Sequence, residues 1–335
     1  MNQSDLTSHI DAVVDQTGLD LGSLSPFLGS QVLRWIRQIS PHGKPSAHFL
    51  DVRMFPILQL PHYVAESFGV TPDAAFQRSL ISSTVHGYYY IRLIDNVVDR
   101  DRDLELERTI LPVAGYFCSE FQLGYQRHFS LGHPFWPVFR EMWAASAVSS
   151  AEDAALRTVS RADFDRVASR KYSAAGIPVV ATCHYYGRAD LLPPWLELVN
   201  GLGRWSQMVD DILDWRQDST TDRSTYFLSE GERQKLREES LEDWILREGC
   251  DWGFKLLNEW MAQLQQSATR LGSPGLREYL ARRMSWLKEQ HSVIRNGLAA
   301  LADLAAIFDQ AASAPALVLA GHAEPPELNP QPKNH

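Results

Sequence analysis

Residues 87–101, Gly-Tyr-Tyr-Tyr-Ile-Arg-Leu-Ile-Asp-Asn-Val-Val-Asp-Arg-Asp, form the stretch from which the fold can be predicted. Tyr88, Arg92, Asp95 and Asp99 recur at helical spacing on one face, and most residues between them are large and apolar. A carboxylate in so apolar a helix is costly to bury without a cation, a hydrogen-bonding partner or an aqueous cavity. The stretch therefore predicts a helix that directs Asp95 and Asp99 to the same polar site.

A second acidic stretch, Gln-Met-Val-Asp-Asp-Ile-Leu-Asp, repeats this arrangement much later in the chain. One helical face carries Gln207, Asp211, Asp214 and Asp218, spaced four, three and four residues apart, and Asp210 lies one position round the helix. Like charges this close repel each other, and converging carboxylate oxygens are ligands that Mg²⁺ takes. Two such faces opposed across a helical bundle would hold Mg²⁺ and, through it, a diphosphate. An ordinary solvated helix surface is the alternative for each face.

The composition limits the partners and the compartment. The chain has 335 residues, a net charge of −9 and a pI near 5.7, which argues against nucleic acid or an anionic membrane as the main partner.

The first residues lack the basic and apolar regions of a signal peptide, and no apolar run has the roughly 18 to 20 residues of a membrane span. Cys118, Cys183 and Cys250 are widely spaced. These features predict a cytoplasmic protein with reduced thiols.

Helical spacing of apolar residues recurs along nearly the whole chain, and convincing strand-like alternation is absent. The sequence therefore predicts an all-α fold, with a single helical domain over 25–312. Residues 1–24 are predicted to be a loose lead-in or a peripheral helix, and the polar segment 214–225 a loop over the site. The Pro-rich end, 313–335, is predicted to be disordered.

The second acidic stretch carries a family resemblance. Residues 207–214 resemble the second aspartate-rich motif, Gln-x-x-Asp-Asp-x-x-Asp, of the trans-polyprenyl diphosphate synthases. Upstream, Arg-Lys-Tyr-Ser-Ala-Ala-Gly at 170–176 resembles their Lys-Thr/Ser element, which would make Lys171 a diphosphate ligand. Downstream, Arg-Ser-Thr at 223–225 stands where they carry Lys-x-Thr.

The first acidic stretch departs from those enzymes. Between Arg92 and Asp99 it has Asn96 in place of a second aspartate, and it is closer to the Arg-x-x-Asp-x-x-x-Asp of squalene and phytoene synthases. Over about residues 40–230, the ordered set of elements resembles the class I isoprenoid synthase superfamily.

This resemblance implies a single-domain helical bundle around a central active-site cavity. Two acidic motifs on facing helices would bind Mg²⁺, three ions in related enzymes, and through them an allylic prenyl diphosphate of C10 to C20. The catalytic metal ligands implied are Asp95, Asp99, Asp210, Asp211 and Asp214. The substrate-binding residues implied lie on or near the motifs: Arg92, Gln207, Lys171, Arg223, Tyr88, Tyr90 and Lys44. A homodimer is left open.

The three tyrosines before Asp95 have two interpretations. Whichever ring faces the cavity could stabilise a carbocation through its π face, whereas core packing is the alternative. Tyr90 and Ile91 also lie at the positions that limit chain length in the polyprenyl synthases, which implies a short to medium prenyl chain.

The reaction expected depends on whether a second diphosphate site exists. Chain-elongating relatives build one from Gly-Lys-Arg-x-x-Arg-Pro and an arginine pair. Here only Gly43-Lys44 survives, with Arg53 as a stand-in, and Arg100 and Arg102 alternate with aspartates. A terpene synthase, which ionises one prenyl diphosphate and guides its cation, needs no such site and is the expected function.

Two alternatives stay open. The Asn/Asp-x-x-Ser/Thr-x-x-x-Glu triad of ordinary terpene synthases is missing, so a prenyltransferase that elongates or condenses prenyl diphosphates is the first. A catalytically silent helical partner is the second, although silence usually accompanies loss of the motif carboxylates, and five are retained here.

Overall fold

The computed structural model describes residues 3–99, 104–221 and 224–313, with the side chains of 4–98, 105–221, 224–297 and 299–300. Over these ranges the chain forms helices joined by turns and loops, and no β-strand occurs in them. The predicted all-α class is confirmed. None of the described helices is long and apolar enough to cross a membrane. The predicted disordered tail from residue 314 onwards lies outside the described residues.

The α-helices are α1 (Gln3–Leu24), α2 (Pro26–Ile39), α3 (Pro45–Leu50), α4 (Leu60–Ser67), α5 (Ala74–Asp99), α6 (Leu104–Ile110), α7 (Ala114–Gln126), α8 (Phe135–Ala155), α9 (Arg161–Lys171), α10 (Ile177–Tyr185), α11 (Leu192–Leu213), α12 (Trp215–Thr220), α13 (Tyr226–Gln234), α14 (Leu241–Trp244), α15 (Cys250–Leu271) and α16 (Pro274–Ser313). Short 3-10 turns occupy Pro41–Gly43, Leu111–Val113, Ser173–Gly176 and Ala189–Leu191, and a π-helical turn, Ile245–Gly249, joins α14 to α15. The chain divides into two compact units, 1–289 and 290–335. The first holds α1 to α15 and the start of α16, and the described part of the second is the rest of α16.

The acidic helix α5 is held in place by close packing on α7. A Cβ atom added at Gly87 would lie 2.7 Å from the ring of Phe121, and one at Gly124 would lie 2.7 Å from Cβ of Ser83. Glycine at both positions therefore lets the two helices approach. The Ser83 hydroxyl also donates a hydrogen bond to the carbonyl of Phe121. These contacts fix the face of α5 that carries the first acidic motif.

Of the two alternatives for residues 1–24, a loose lead-in or a peripheral helix, the structure shows a helix, and it packs on the core. Ile10, Val13 and Leu21 of α1 are buried, and the Thr17 hydroxyl is hydrogen-bonded to Nε2 of His86 on α5 at 3.0 Å. Apolar residues at helical spacing dictate this outcome, because their stripe packs on α2 and on the core. The first helix thus belongs to the compact unit that positions α5.

The second acidic helix, α11, starts with proline where a missing backbone N–H costs least. Its buried stripe includes Leu198, Leu202, Trp205 and Val209, spaced three and four residues apart as an amphipathic helix requires. The polar motif lies beside this stripe and continues into α12. The loop predicted over 214–225 is therefore wrong in its first part, where Trp215–Thr220 is helical.

Candidate functional site

A cavity of about 510 Å³, which we call the main cavity, is lined by residues of α5, α8, α9 and α11. Asp95 from the first motif and Asp210, Asp211 and Asp214 from the second all line it. The structure therefore brings together four of the five carboxylates predicted as metal ligands. Its volume falls in the range of about 300–1,000 Å³ that is usual for small-molecule sites.

The lining of the main cavity becomes acidic towards the C-terminal part of two helices. On α5 it runs from Thr84 and Gly87 to Asp95, and on α8 from Trp143 through two serines to Asp153. Ten to eleven helical residues span about 15–16 Å, so each change extends over several helical turns. The last lining residue of each helix is thus an aspartate.

The electrostatics of the charged part centre on two neighbouring aspartates. Asp211 is 3% exposed, and its burial raises the pKa of its carboxyl to about 7, opposed by the hydrogen bond from Gln207. Asp210 is accessible through the cavity, yet the surrounding protein raises its pKa to about 7, and Arg283 opposes this rise. Partial burial also raises the pKa of Asp214. Burial therefore makes these three carboxyls harder to ionise than ordinary aspartates.

We expect Asp211→Asn to remove part of the pH dependence of stability in EDTA. The pKa of Asp211 rises from 3.8 to about 7 in the folded protein, so the folded state keeps a proton that the unfolded state releases. The wild type therefore loses this stabilisation as pH rises through that interval. At about 1.4 kcal/mol per pKa unit, the Tm of the variant should exceed that of the wild type by several degrees at pH 8 and be similar at pH 4.5.

The control for this measurement is Asp190→Asn, because the side chain of Asp190 is 63% exposed and does not line the main cavity. Its Tm should follow that of the wild type at both pH values. A Tm difference between Asp211→Asn and the wild type that is the same at pH 4.5 and pH 8 would contradict the raised pKa.

Lys171 is placed by the end of α9. This helix begins with a capping box, in which Ser160 and Asp163 bond to each other's backbone N–H groups, and its last residue is Lys171. The Lys171 ammonium lies 2.5 Å from a carboxylate oxygen of Asp153, and the Ser146 hydroxyl donates to the Lys171 carbonyl at 2.8 Å. The lysine lines the main cavity as predicted and lowers the pKa of both Asp210 and Asp211, although other causes outweigh it.

Arg92 and Gln207, two further predicted residues of the motif helices, also line this cavity. Arg92 lines it one turn before Asp95. Gln207 lines it as well, and its Nε2 donates to Oδ1 of Asp211 at 2.9 Å. Asn96, by contrast, is fully buried and donates from Nδ2 to Oε1 of Glu107 at 2.5 Å. The asparagine that distinguishes the first motif is therefore a core residue that anchors α5 to α6.

The three tyrosines have three different environments. Tyr88 lines the main cavity. Tyr89 is 1% exposed and packs in the core against Trp35, with ring centroids 5.8 Å apart. Tyr90 is outside the lining described, and its ring lies 5.4 Å from that of Trp143. Of the three tyrosines only Tyr88 thus lines the main cavity, and Tyr90 packs against Trp143 instead.

Lys44 is not brought to the acidic residues. It lies in a separate groove of about 370 Å³ between α1, α2 and α3, together with Arg37, Asp11 and Asp15. Gly43 and Lys44 lie in the loop before α3, and this two-residue pattern does not determine where the loop packs. Arg53 does line the main cavity, but its guanidinium is paired with Asp51 at 2.6 Å.

Two predicted residues cannot be placed. Arg223 and the side chain of Asp99 lie outside the described residues, so their predicted roles stay predictions.

The sequence analysis missed Arg283 of α16, which lines the main cavity and is 2% exposed. Its guanidinium donates to the carbonyls of Met54 and Arg53 at 2.9 and 3.0 Å and to the Ser206 hydroxyl at 3.1 Å. It also lies 4.7 Å from the ring of Trp205. Because these hydrogen bonds go to neutral oxygens, its positive charge acts on the carboxylate of Asp210 instead of being cancelled by an ion pair.

Three more lining residues were not assigned a role from the sequence. Asp153 pairs with Lys171, and Asp218 of α12 is 9% exposed and raises the pKa of Asp211. Trp143 contributes to the apolar part, with its ring 4.7 Å from that of Phe121. Asp218 could have been predicted from the sequence, because it follows Asp214 by one helical turn. Asp153 could not, because no helical spacing relates it to either acidic motif.

The charges on the described lining fit a bound cation better than a bare anion. Four basic side chains, Arg53, Arg92, Lys171 and Arg283, are set against six aspartates, Asp95, Asp153, Asp210, Asp211, Asp214 and Asp218. When all six carboxylates are ionised, this lining carries an excess of two negative charges and repels a diphosphate unless cations are added. The donors are carboxylate oxygens, which suit Mg²⁺. As the described side chains stand, no three His, Cys, Asp or Glu residues form a metal-binding group.

Comparison of the sequence with protein-family models and with curated proteins gave no match.

Proposed function

We propose that the protein is a Mg²⁺-dependent class I terpene synthase, which ionises an allylic prenyl diphosphate and guides the carbocation to a terpene with release of diphosphate. The observation that carries the proposal is that Asp95 and the group Asp210, Asp211 and Asp214, from two helices far apart in the chain, line one cavity that also has apolar and aromatic side chains in its lining. Such a cavity suits a substrate with a charged head and a hydrocarbon tail.

In this proposal the charged lining binds the diphosphate. Asp95, Asp210, Asp211 and Asp214 would hold Mg²⁺, which when bound would supply positive charge to the leaving diphosphate. Lys171 would turn from Asp153 towards the diphosphate oxygens, and Arg92 would add a second cation from α5. As the allylic C–O bond lengthens, negative charge develops on the leaving group, and these fixed cations stabilise the transition state.

The apolar lining would hold the prenyl chain and exclude water from the carbocation. Phe49, Phe55, Phe121 and Trp143 contribute aromatic surface to the cavity. The faces of such rings stabilise positive charge that develops beside them. The pocket therefore supplies both the shape and the electrostatics that a cation needs before it is quenched.

Chain elongation has less support than ionisation of a single substrate. It requires a second diphosphate site next to the first, but Lys44 lies in a separate groove, which leaves Arg53 as the one residue considered for that site that lines the main cavity. A silent partner has less support too, because the four described motif carboxylates line the cavity and have not been replaced.

Incubation of the purified protein with geranyl, farnesyl and geranylgeranyl diphosphate and Mg²⁺ tests the proposal, with isopentenyl diphosphate present or absent. We expect release of diphosphate and a hydrocarbon or alcohol product from one of the three substrates without isopentenyl diphosphate. A longer prenyl diphosphate would favour elongation instead. Absence of turnover in every combination would refute an enzymatic function.

Metal binding has a readout that is independent of turnover. We expect Mg²⁺ and inorganic pyrophosphate together to raise the Tm, because a ligand at 100 times its Kd stabilises the folded state by about 2.7 kcal/mol. The Asp211→Asn variant should show a much smaller rise, whereas Asp190→Asn should behave as the wild type. An equal rise in all three proteins would place the bound ions elsewhere.

Trp143→Ala is expected to extend the range of substrates towards longer prenyl chains. Removing the indole opens space next to Phe121 and Tyr90, and we expect kcat/KM for the longer substrate relative to the shorter one to rise about tenfold. The control is Trp136→Ala, because Trp136 lies on the same helix and donates its indole N–H to the carbonyl of Ser130 at 2.9 Å, away from the described cavity lining. An unchanged ratio in Trp143→Ala would remove this residue from the prenyl site.

A further inference from the structure

Tyr88 and His48 form a hydrogen-bonded pair beside the main cavity. The Tyr88 hydroxyl lies 2.5 Å from Nε2 of His48, and the two ring centroids are 5.2 Å apart. The ring of Phe49 packs edge-on against Tyr88 at 5.0 Å. These contacts hold the phenol in one orientation while Tyr88 still lines the cavity.

The pair lies away from the charged part of the cavity. Tyr88 precedes Asp95 by seven residues on α5, which is two helical turns or about 10 Å. The neighbouring lining residues on this part of the helix are Thr84, Gly87 and Ile91, with Arg92 one turn further towards the carboxylates. The phenol therefore borders the surface that would hold the prenyl chain in the proposed function, and it is separate from the carboxylates that would hold Mg²⁺.

His48 leads from the cavity towards the protein surface. It belongs to α3, it is half-buried, and it is outside the described lining of the main cavity. Asp51 follows one turn later, and the pKa of its carboxyl is lowered mainly by the hydrogen bond from Arg53 and to a smaller extent by the charge of His48. A protonated His48 would thus have a carboxylate nearby to stabilise its charge.

We propose that Tyr88 and His48 remove the proton that ends the carbocation reaction. Tyr88 is the catalytic residue that touches the cation, and His48 is the proton acceptor behind it. The proposal rests on the proposed function, because it needs a carbocation formed in the main cavity.

The step balances without any further reactant. The Tyr88 oxygen takes a proton from the carbon next to the cationic centre, and the electron pair of the broken C–H bond becomes the C=C bond of the product. At the same time the phenol passes its own proton to Nε2 of neutral His48. Tyr88 ends neutral, His48 ends as an imidazolium beside Asp51, and the hydrocarbon leaves without charge. Through His48 the proton can pass to solvent without water entering the cavity.

If Tyr88 and His48 remove the proton, replacing either residue should reduce the amount of hydrocarbon product. Without the relay, the cation lives longer and is captured by water, which converts a hydrocarbon into an alcohol. Ionisation depends on the diphosphate end of the cavity, so it should suffer less than deprotonation. The informative quantity is therefore the amount of hydrocarbon formed for each diphosphate released.

The test compares Tyr88→Phe and His48→Gln with the wild type, using the prenyl diphosphate that the wild type turns over. Phenylalanine keeps the ring contacts, and glutamine keeps a polar side chain without a basic nitrogen. We expect hydrocarbon per diphosphate released to fall about tenfold or more in each variant, as loss of a general base predicts. Tyr116→Phe is the control, because the Tyr116 hydroxyl donates to Asp20 at 3.1 Å and is outside the described lining of the main cavity. Its ratio should equal that of the wild type.

The outcomes separate the two proposals. A wild type that releases no diphosphate from any substrate refutes the proposed function and this inference with it. Diphosphate release with an unchanged hydrocarbon ratio in Tyr88→Phe and His48→Gln overturns the inference alone, and so does a wild-type product that is entirely alcohol. If Tyr88→Phe does not fold, as judged by its circular dichroism, His48→Gln decides the result.

Discussion

Replacing Asp95 by asparagine is expected to lower the rate of Mg²⁺-dependent diphosphate release by about 10³-fold. Removing one group that stabilises developing charge in an enclosed site typically costs 10² to 10³ in rate, and Asp95 is the described carboxylate that α5 contributes to the main cavity. The rate is measured as pyrophosphate released at saturating substrate. A comparable loss is expected for Asp210→Asn on α11.

The double variant tests whether the two helices act on the same ions. If Asp95 and Asp210 hold one metal cluster, removing the second carboxylate costs little once the first is gone, because residues that act as a unit are strongly non-additive. The double variant should therefore be within about tenfold of either single variant. Multiplied losses, near 10⁶ in total, would mean that the two carboxylates act independently, and a near-normal rate in either single variant would remove it from the mechanism.

Circular dichroism and Tm measurements control for folding in this series. Asn is nearly isosteric with Asp and carries no charge, so helix packing should be preserved. At pH 8 the variants should be at least as stable as the wild type in EDTA, because the crowded site loses a negative charge. A loss of rate that is accompanied by unfolding would not support a metal site, whereas a loss in a stable protein would.

The sequence predicted which acidic residues share a helical face. It predicted fewer of the other residues that line the main cavity. Helical spacing determines that Asp95 shares a face with Arg92 and that Asp211 shares one with Gln207, and these are local properties. An apolar background then indicates that both faces point inwards, where they line the same cavity. This part of the site required only the period of the helix and the cost of burying charge.

Residues whose position depends on tertiary packing were harder to predict. Lys44 follows a loop whose packing on α1 and α2 is not encoded in its neighbours, and Lys171 meets Asp153 only because α8 and α9 lie together. The helical pattern of α1 was present in Ile10 and Val13, but its polar faces concealed how deeply the apolar stripe is buried.

Arg283 could have been found from the sequence. Leu276, Leu280 and Leu287 mark the buried stripe of the first part of α16, and all three are at most 1% exposed. Position 283 falls on that stripe, three residues after one leucine and four before the next. An arginine where the pattern requires an apolar residue is costly unless it has buried partners, so it indicates either a specific structural role or a site.

Replacing Arg283 by methionine is expected to lower the free energy of unfolding by about 3–5 kcal/mol. Two effects oppose each other, because methionine removes a buried charge but leaves several oxygens without their donor. Each buried acceptor that loses its partner costs about 1–3 kcal/mol, and the carbonyls of Met54 and Arg53 and the Ser206 hydroxyl all accept from this guanidinium. Breaking a buried charged network by removing one partner typically costs 3–5 kcal/mol, so the lost hydrogen bonds should dominate.

Urea unfolding at pH 7 measures this change, and Arg282→Met is the matched control. Arg282 precedes Arg283 on the same helix and is exposed, so its replacement should change stability by no more than about 0.5 kcal/mol.

Arg283→Lys should also destabilise the protein, because an ammonium group cannot reproduce the planar, forked geometry of the guanidinium. Because Arg283 also opposes the rise in the pKa of Asp210, methionine should make that carboxyl harder to ionise. Equal stability of Arg283→Met and Arg282→Met would mean that the cost of burying the guanidinium cancels its hydrogen bonds, and Arg283 would then be retained for its charge beside Asp210 alone.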